Sequence, residues 1–168
     1  MGGQGRGGEC RHHRQPVGED DGKGGPTGFD AGKKVKGRKR HLVVDTLGLI
    51  WAVVVHSAGV QDRDGAQLVL AKLQGRAPRL AAVLADAGYN GPIATWVLAI
   101  LGVVLTLVQK PAGAKGFHVL KLRWIVERTF AWLGRYRRLS KDYEQNPASS
   151  EAWIYCAMIH LMARRLAN

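Results

Sequence analysis

The amino-acid sequence predicts an α/β domain with a mixed β-sheet flanked by helices, in three layers at its fullest. Short apolar runs at 41–45, 49–56 and 80–85 have the length and the β-branched content of buried strands. Segments 62–74 and 149–167 instead repeat their apolar residues every three or four positions, as amphipathic helices do. Strands and helices that alternate along one chain are typical of α/β domains.

The first two strands are expected to pair as an antiparallel hairpin, because only the turn-forming segment 45–48 separates them. This turn explains Asp45 without any catalytic role, so we assign Asp45 to the turn. The helix at 62–74 follows, with Asp62 as a candidate cap and Gly75 as its stop signal.

The strand at 80–85 has no polar alternation, and we expect it to be buried on both faces. The apolar run that follows, 92–108, is close to the lower length limit for a membrane span. Gly102 divides this run more simply into a helix at 93–101 and a buried strand at 103–109. We therefore expect no membrane-spanning segment.

Residues 123–139 are predicted to form one amphipathic helix, with Val126, Phe130, Leu133 and Arg137 spaced along one stripe. Glu127 is an acid placed within this stripe and surrounded by basic residues. Such an acid is either the ion-pair partner of a neighbouring arginine or a metal ligand. The helix alone leaves both interpretations open.

The final helix is expected at 149–167. Ser149 or Ser150 would cap it, because serine hydroxyls accept hydrogen bonds from the first free backbone amides. Ile154 and Met158 would lie on its buried face.

The charge balance favours an anionic partner. The 168 residues include 25 Lys and Arg against 13 Asp and Glu, a net charge of +12. This excess favours nucleic acid first and a membrane surface second. Two cysteines exclude a disulfide framework and a CxxC metal site, and the chain begins with no apolar leader, so a cytoplasmic location is expected.

Residues 1–32 are expected to form a disordered tail. They hold eleven of the 22 glycines and few large apolar side chains, so they cannot bury enough surface to offset their ordering entropy. The folded domain would then comprise residues 33–168.

A candidate metal site combines two carboxylates. Asp86 directly follows the apolar strand 80–85, and the ends of such strands are where open α/β sheets place their chemistry. Asp86 and Glu127 offer the hard oxygen ligands that Mg²⁺ or Mn²⁺ prefers. In the simplest alternative, Asp86 only caps the next helix. Tyr89 would be able to cover the site.

Two basic segments bracket these carboxylates and would form the frame that a DNA-cutting site needs. Basic runs are more often only solvated surface, but here they flank a carboxylate pair and favour DNA binding. The candidate DNA-binding residues are Lys33, Lys36, Arg38, Lys39 and Arg40 in the first segment and Arg128, Arg135, Arg137 and Arg138 in the second.

Several motifs together resemble the C-terminal part of bacterial insertion-sequence DDE transposases. They are G-F-D-A-G-K-K-V-K-G-R-K-R-H-L-V-V-D-T-L-G-L, V-Q-D-R-D-G-A, A-D-A-G-Y-N-G and R-W-I-V-E-R-T-F-A-W-L-G-R-Y-R-R-L-S-K-D-Y-E. The resemblance runs from about residue 25 to the end, and the motifs fall in the family's order. It implies a ribonuclease-H-like fold that cuts transposon ends and joins them to target DNA with a divalent metal.

The resemblance also assigns residues. It implies that Asp86 is the second and Glu127 the third carboxylate of the catalytic set, and that Arg123 is the arginine of the family's Y-R-E-K signature. The lysine of that signature would fall at Gly134, so its role is assigned to no residue of this chain.

The family's first aspartate is missing. A segment resembling A-A-I-I-D-S-Q-S-V-K-T-T is expected on a strand upstream, where this chain has residues 10–21. Codons for residues 10–21 can be chosen so that a one-base shift encodes that segment, with its aspartate across the codons of Arg14 and Gln15. We therefore expect residues before about 23 to be out of frame and the sheet to lack its first strand.

Three functions remain open from the sequence. The chain is a DDE transposase that is inactive in this form, or a DNA-binding remnant that pairs with intact transposase and inhibits it. The third is an unrelated basic RNA-binding protein. The expected partners are transposon-end and target DNA, with a second copy or an intact transposase as a protein partner.

Overall fold

The computed structural model describes residues 8–14, 25–31, 34–86, 89, 91–108 and 123–167. The described elements, in chain order, are strands β1 (Gly8–Arg14), β2 (Gly28–Asp30), β3 (Val35–Val44) and β4 (Ile50–Ser57), helix α1 (Asp62–Ala71), β5 (Ala82–Asp86), α2 (Ile93–Leu101), β6 (Val104–Val108), α3 (Arg123–Gly134), a short 3₁₀ helix (Arg137–Leu139) and α4 (Pro147–Leu166). Lys33 and residues 109–122 lie outside the described residues.

The main sheet is mixed, as predicted, and β1 lies at its centre. Across the sheet, neighbouring strands are hydrogen-bonded in the order β4, β3, β1, β5, β6. β1 is antiparallel to β3 and parallel to β5, while β2 adds a short antiparallel pairing to the start of β3.

The position of β1 corrects two expectations. We expected residues 1–32 to be disordered and the sheet to lack its first strand, but Gly8–Arg14 pairs along both edges. Composition alone did not predict that residues 8–14 are ordered. Their backbone amides and carbonyls can pair with β3 and β5 whatever side chains they carry. The other described part of that region, 25–31, contains β2.

The predicted hairpin of β3 and β4 is confirmed, and so is the assignment of Asp45 to its turn. Asp45 Oδ1 accepts hydrogen bonds from the amides of Leu47 and Leu49, both at 2.9 Å. Gly48 takes a positive φ of 82°, which glycine adopts without strain. β3 begins earlier than expected, at Val35, so that most of the first basic segment is strand.

Helices cover both faces of the sheet, which gives the three expected layers. Successive residues of a strand point to opposite faces of the sheet, so they contribute in turn to two apolar clusters. On one face Val43, Ala52 and Val54 pack with residues of α1 and α2, including Ala66, Val69, Leu70, Ile93 and Val97. On the other, Leu42, Val44, Val53 and Val55 pack with residues of α3 and α4, including Val126, Phe130, Leu133, Ile154 and Ala157.

The two parallel strands are less buried than predicted. In β5 only Val83 and Ala85 are buried, and in β6 no residue is fully buried. Among the described residues β6 pairs with β5 alone, so it forms an edge and Val104 remains 57% exposed. No helix within the described part of the chain is long and apolar enough to cross a membrane.

The helix expected at 123–139 is shorter than predicted. α3 ends at Gly134, and the chain turns into the 3₁₀ helix. Its predicted buried residues Val126, Phe130 and Leu133 are confirmed, but Glu127 is exposed beside the stripe rather than within it.

The final helix starts two residues earlier than expected. Asn146, and neither serine, provides its cap by accepting a hydrogen bond from Ala148 N at 2.9 Å. Ser150 is buried and donates to Asp142 Oδ1 at 2.6 Å.

Candidate active site and basic surface

Asp86 is the last residue of β5 and lies at the carboxyl end of a parallel strand. Its side chain is half-buried. The neighbouring strand β1 pairs Cys10 with Ala85, so β1 runs past the level of Asp86 toward Arg14. Asp86 therefore stands beside the central strand, where the sequence predicted a site.

Glu127 lies in the helical layer, on α3. It follows Arg123, the first residue of α3, by one turn, and α3 packs on β1 and on β3. Asp86 and Glu127 are thus carried by two elements that both contact β1.

Tyr89 does not cover this site, in contrast to our expectation. Its side chain is 3% exposed and packs in the cluster beneath α1 and α2. A glycine with φ of 105°, Gly91, follows it and turns the chain into α2. Residues 87, 88 and 90, on either side of Tyr89, lie outside the described residues.

The described residues do not assemble a complete metal site. Among them no three His, Cys, Asp or Glu side chains converge closely enough to hold an ion. Two-metal phosphodiester chemistry requires ligands for ions about 3.5–4 Å apart. Asp86 and Glu127 alone do not meet that requirement.

Three basic residues of β3, Arg38, Lys39 and Arg40, are buried and bound by other groups of the protein. The Arg38 guanidinium donates to Pro26 O, Glu144 O and Gln145 O at 2.7–3.1 Å and pairs with Asp142. This replaces our expectation that Arg38 faces DNA. Its role is to join the start of β3 to the segment before α4.

Lys39 and Arg40 are held in the same way. Lys39 Nζ lies 3.1 Å from Asp30 Oδ2 and 3.0 Å from Asp62 Oδ1. Arg40 Nη1 donates to Leu139 O, and burial lowers the pKa of Arg40 to about 10, although Asp142 partly opposes this. We expected both residues on a DNA-binding surface, but they are at most 8% exposed.

Arg128 packs between two tryptophans. Its guanidinium carbon lies 4.3 Å from the Trp124 ring centroid and 4.6 Å from that of Trp132. Arg128 also donates to Leu47 O in the β3–β4 turn. Desolvation, followed by the charge of Arg165, lowers its pKa. The contacts of Arg128 therefore stabilise the docking of α3 on the hairpin, a role that we had not predicted.

The remaining candidates are exposed. Lys36 lies at the start of β3, and Arg135, Arg137 and Arg138 lie between α3 and the end of the 3₁₀ helix. We call the last three, together with exposed Lys141, the 135–141 basic surface. Of the predicted DNA-binding residues that the structure describes, Lys36, Arg135, Arg137 and Arg138 are exposed, and Arg38, Lys39, Arg40 and Arg128 make contacts within the protein.

Two exposed aromatic residues next to this surface were not predicted. Tyr143 is 57% exposed and Trp153 is 44% exposed. The exposure of Trp153 could have been predicted from the sequence, because Trp153 directly precedes Ile154 and therefore lies off the buried stripe of α4.

Comparison with known proteins agrees with this arrangement. The sequence model of the family described as "Transposase DDE domain" matches residues 9–162. A curated relative from Burkholderia cepacia, which carries the name of a transposase for insertion sequence element IS402, is 32% identical over 134 residues. The match covers 73% of this chain and 60% of the relative, so the chain spans less than two thirds of that protein's length. Because the family match covers nearly the whole chain and begins within β1, this chain belongs to the family of insertion-sequence DDE transposases.

Proposed function

We propose that this chain is the catalytic-domain part of an insertion-sequence transposase that binds DNA and, in its present form, neither cleaves nor joins it. The observation that carries the proposal is the placement of Asp86 and Glu127 around β1. The only acid in the β1 sequence is Glu9, which pairs with Leu84, two residues before Asp86. The chain thus offers Asp86 and Glu127 for a set in which the family resemblance implies three carboxylates.

The order of the strands supports a ribonuclease-H-like fold for this domain. An antiparallel part, β4–β3–β1, continues into a parallel part, β1–β5–β6, with helices on both faces. In this arrangement the carboxyl ends of β1 and β5 lie at the same edge of the sheet. A first aspartate at position 14 would lie at this same edge, three residues further along β1 than the level of Asp86.

Arg14 is the last residue of β1. It is also the position at which the one-base shift would place an aspartate. β1 therefore forms a strand, but Arg14 stands where the shifted reading frame would encode the aspartate. This coincidence supports the proposal that residues before about 23 are translated out of frame.

DDE transposase domains depend on a divalent metal. Mg²⁺ or Mn²⁺ is the expected ion, since both accept carboxylate oxygen ligands. Within the described part of the chain no group of three ligating side chains includes Asp86 or Glu127. The reason for proposing an inactive form is that the β1 sequence contains no aspartate.

DNA binding is assigned to Lys36 and to the exposed arginines 135, 137 and 138. Exposed cations that contact phosphates release counterions, so binding should weaken steeply as salt rises. Arg38, Lys39, Arg40 and Arg128 are excluded from this surface because they make the intramolecular contacts described above.

The test measures binding and cleavage separately. Fluorescence anisotropy with a labelled duplex should give a dissociation constant that rises with salt, and it should rise further in the Arg135→Ala, Arg137→Ala double variant. Incubation of the chain with supercoiled plasmid and Mn²⁺ should give no nicking. Nicking that disappears in Asp86→Asn and in Glu127→Gln would refute the inactive form, and absence of any DNA binding would refute the binding function.

A further inference from the structure

A groove lies between the 3₁₀ helix and α4, at the edge of the 135–141 basic surface. It encloses about 790 Å³. Binding sites for small organic groups typically span about 300–1,000 Å³, so one or two nucleotides would fit in this volume. The residues that line the groove fall between positions 136 and 160, so neither Asp86 nor Glu127 is among them.

The lining of the groove is aromatic on one side and basic on the other. Tyr143 and Trp153 contribute exposed rings, and Arg137 and Arg138 contribute guanidinium groups. Tyr136 lies deeper and is half-buried, and its hydroxyl lies 2.9 Å from His160 Nδ1. Exposed aromatic rings beside cations are the combination with which proteins bind unpaired bases and their phosphates.

Charge pairing within the groove leaves a net positive charge. Arg138 stacks over the Trp153 ring at 5.2 Å, and Glu144 Oε1 lies 2.7 Å from its Nη2, so Arg138 has an acidic partner. Asp142 is paired with buried Arg38. Among the described residues, Arg137, which lines the groove, and Lys141, which lies just outside it, have no ion-pair partner, and both are exposed. An anionic occupant is therefore favoured.

We propose that this groove binds single-stranded DNA, with an unpaired base stacked on Trp153 or Tyr143 and an adjacent phosphate contacted by Arg137 and Lys141. A base within a duplex presents no free face to a ring, so the groove selects unpaired nucleotides. The inference rests on the proposed DNA-binding function and adds to it a site for a displaced or frayed strand.

The test compares a labelled dT15 strand with a hairpin duplex of similar charge, using anisotropy at a fixed salt concentration. Trp153→Ala should raise the dissociation constant for dT15 at least about fivefold and leave that for the duplex within about twofold. Arg137→Ala should weaken binding to both. When the titration is repeated at several salt concentrations, this variant should also lower the slope of log affinity against log salt by about one. Phe29→Ala, on an exposed ring of β2, and Arg79→Ala, on an exposed cation outside the groove, serve as controls and should change neither dissociation constant.

A second readout does not depend on affinity. Addition of dT15 should quench tryptophan emission, and Trp153→Phe should remove most of that quenching while retaining part of the binding. Wild-type binding to dT15 that is unchanged by Trp153→Ala and by Tyr143→Ala would overturn the groove assignment while leaving DNA binding intact. Absence of binding to strand and duplex alike would refute the proposed function itself, and a tenfold preference for rU15 would show that RNA is the occupant.

Discussion

Arg38 Nη1 lies 3.2 Å from Asp142 Oδ2 and joins the first basic segment of the chain to the segment that precedes α4. The two residues are separated by 104 positions, and their side chains are 3% and 15% exposed. The arginine also donates to three backbone carbonyls. A residue that sequence reasoning assigned to DNA therefore acts as a structural link.

Arg38→Ala should destabilise the fold. Removing one partner of a buried ion pair leaves the other charge unpaired, and such losses are on the order of 3 kcal/mol. Urea denaturation should show a lower free energy of unfolding. Arg79→Ala, which removes an exposed cation, is the control and should change stability by less than about 0.5 kcal/mol. Equal losses in both variants would contradict the structural role of Arg38.

Gly48 should tolerate alanine less well than Gly75. Both adopt positive φ, 82° and 70°, so both alanine variants incur a backbone cost of about 1 kcal/mol. A Cβ on Gly48 would in addition lie 2.8 Å from Thr129 Oγ1 and 2.9 Å from Trp132 Cζ3, whereas one on Gly75 meets nothing within 4 Å. Thermal unfolding should therefore show Gly48→Ala to be less stable than Gly75→Ala by roughly 1–3 kcal/mol. Similar losses would show that the turn does not pack on α3 as described.

His56 should make stability depend on pH. Its ring stacks on that of His41 with centroids 4.8 Å apart, and burial lowers its pKa below 6.5. The hydrogen bond to Ser57 O and the charge of Asp62 raise this pKa, while Lys39 lowers it further, and burial outweighs them. Because the unfolded state then binds the proton more readily, the stabilisation is complete above pH 6.5 and is lost as pH falls below it.

The measurement is the free energy of unfolding between pH 7.5 and 5.5. It should fall by up to about 1.4 kcal/mol per pH unit for this one proton. His56→Gln should flatten the profile over that range. A variant profile with the wild-type slope would assign the titration to another group.

Local features of the fold were predictable from the sequence. The β3–β4 hairpin and the role of Asp45 follow from four turn residues, and the span of α2 follows from Gly102, which takes a φ of 66°. The exposure of β6 was not predictable, because apolar content does not show that a strand lies at an edge.

The candidate site was predictable in part. Asp86 was identified because an apolar strand directly precedes it, and Glu127 because the family resemblance places a carboxylate there. Arg38, Lys39 and Arg40 were misassigned because their partners, which include Asp142, Asp62 and the Leu139 carbonyl, lie on other elements of the fold. Long-range pairing of this kind leaves no local pattern.

The central claim is that the chain has two of three carboxylates because residues 10–21 are out of frame. The most direct measurement is Mn²⁺ binding by isothermal titration to two proteins, the chain as it stands and a chain whose residues 10–21 are replaced by A-A-I-I-D-S-Q-S-V-K-T-T. The account predicts that the replaced chain binds Mn²⁺ and that Asp86→Asn abolishes this binding, while the unaltered chain gives no heat that depends on Asp86. Stoichiometric Mn²⁺ binding by the unaltered chain, lost in Asp86→Asn, would contradict it.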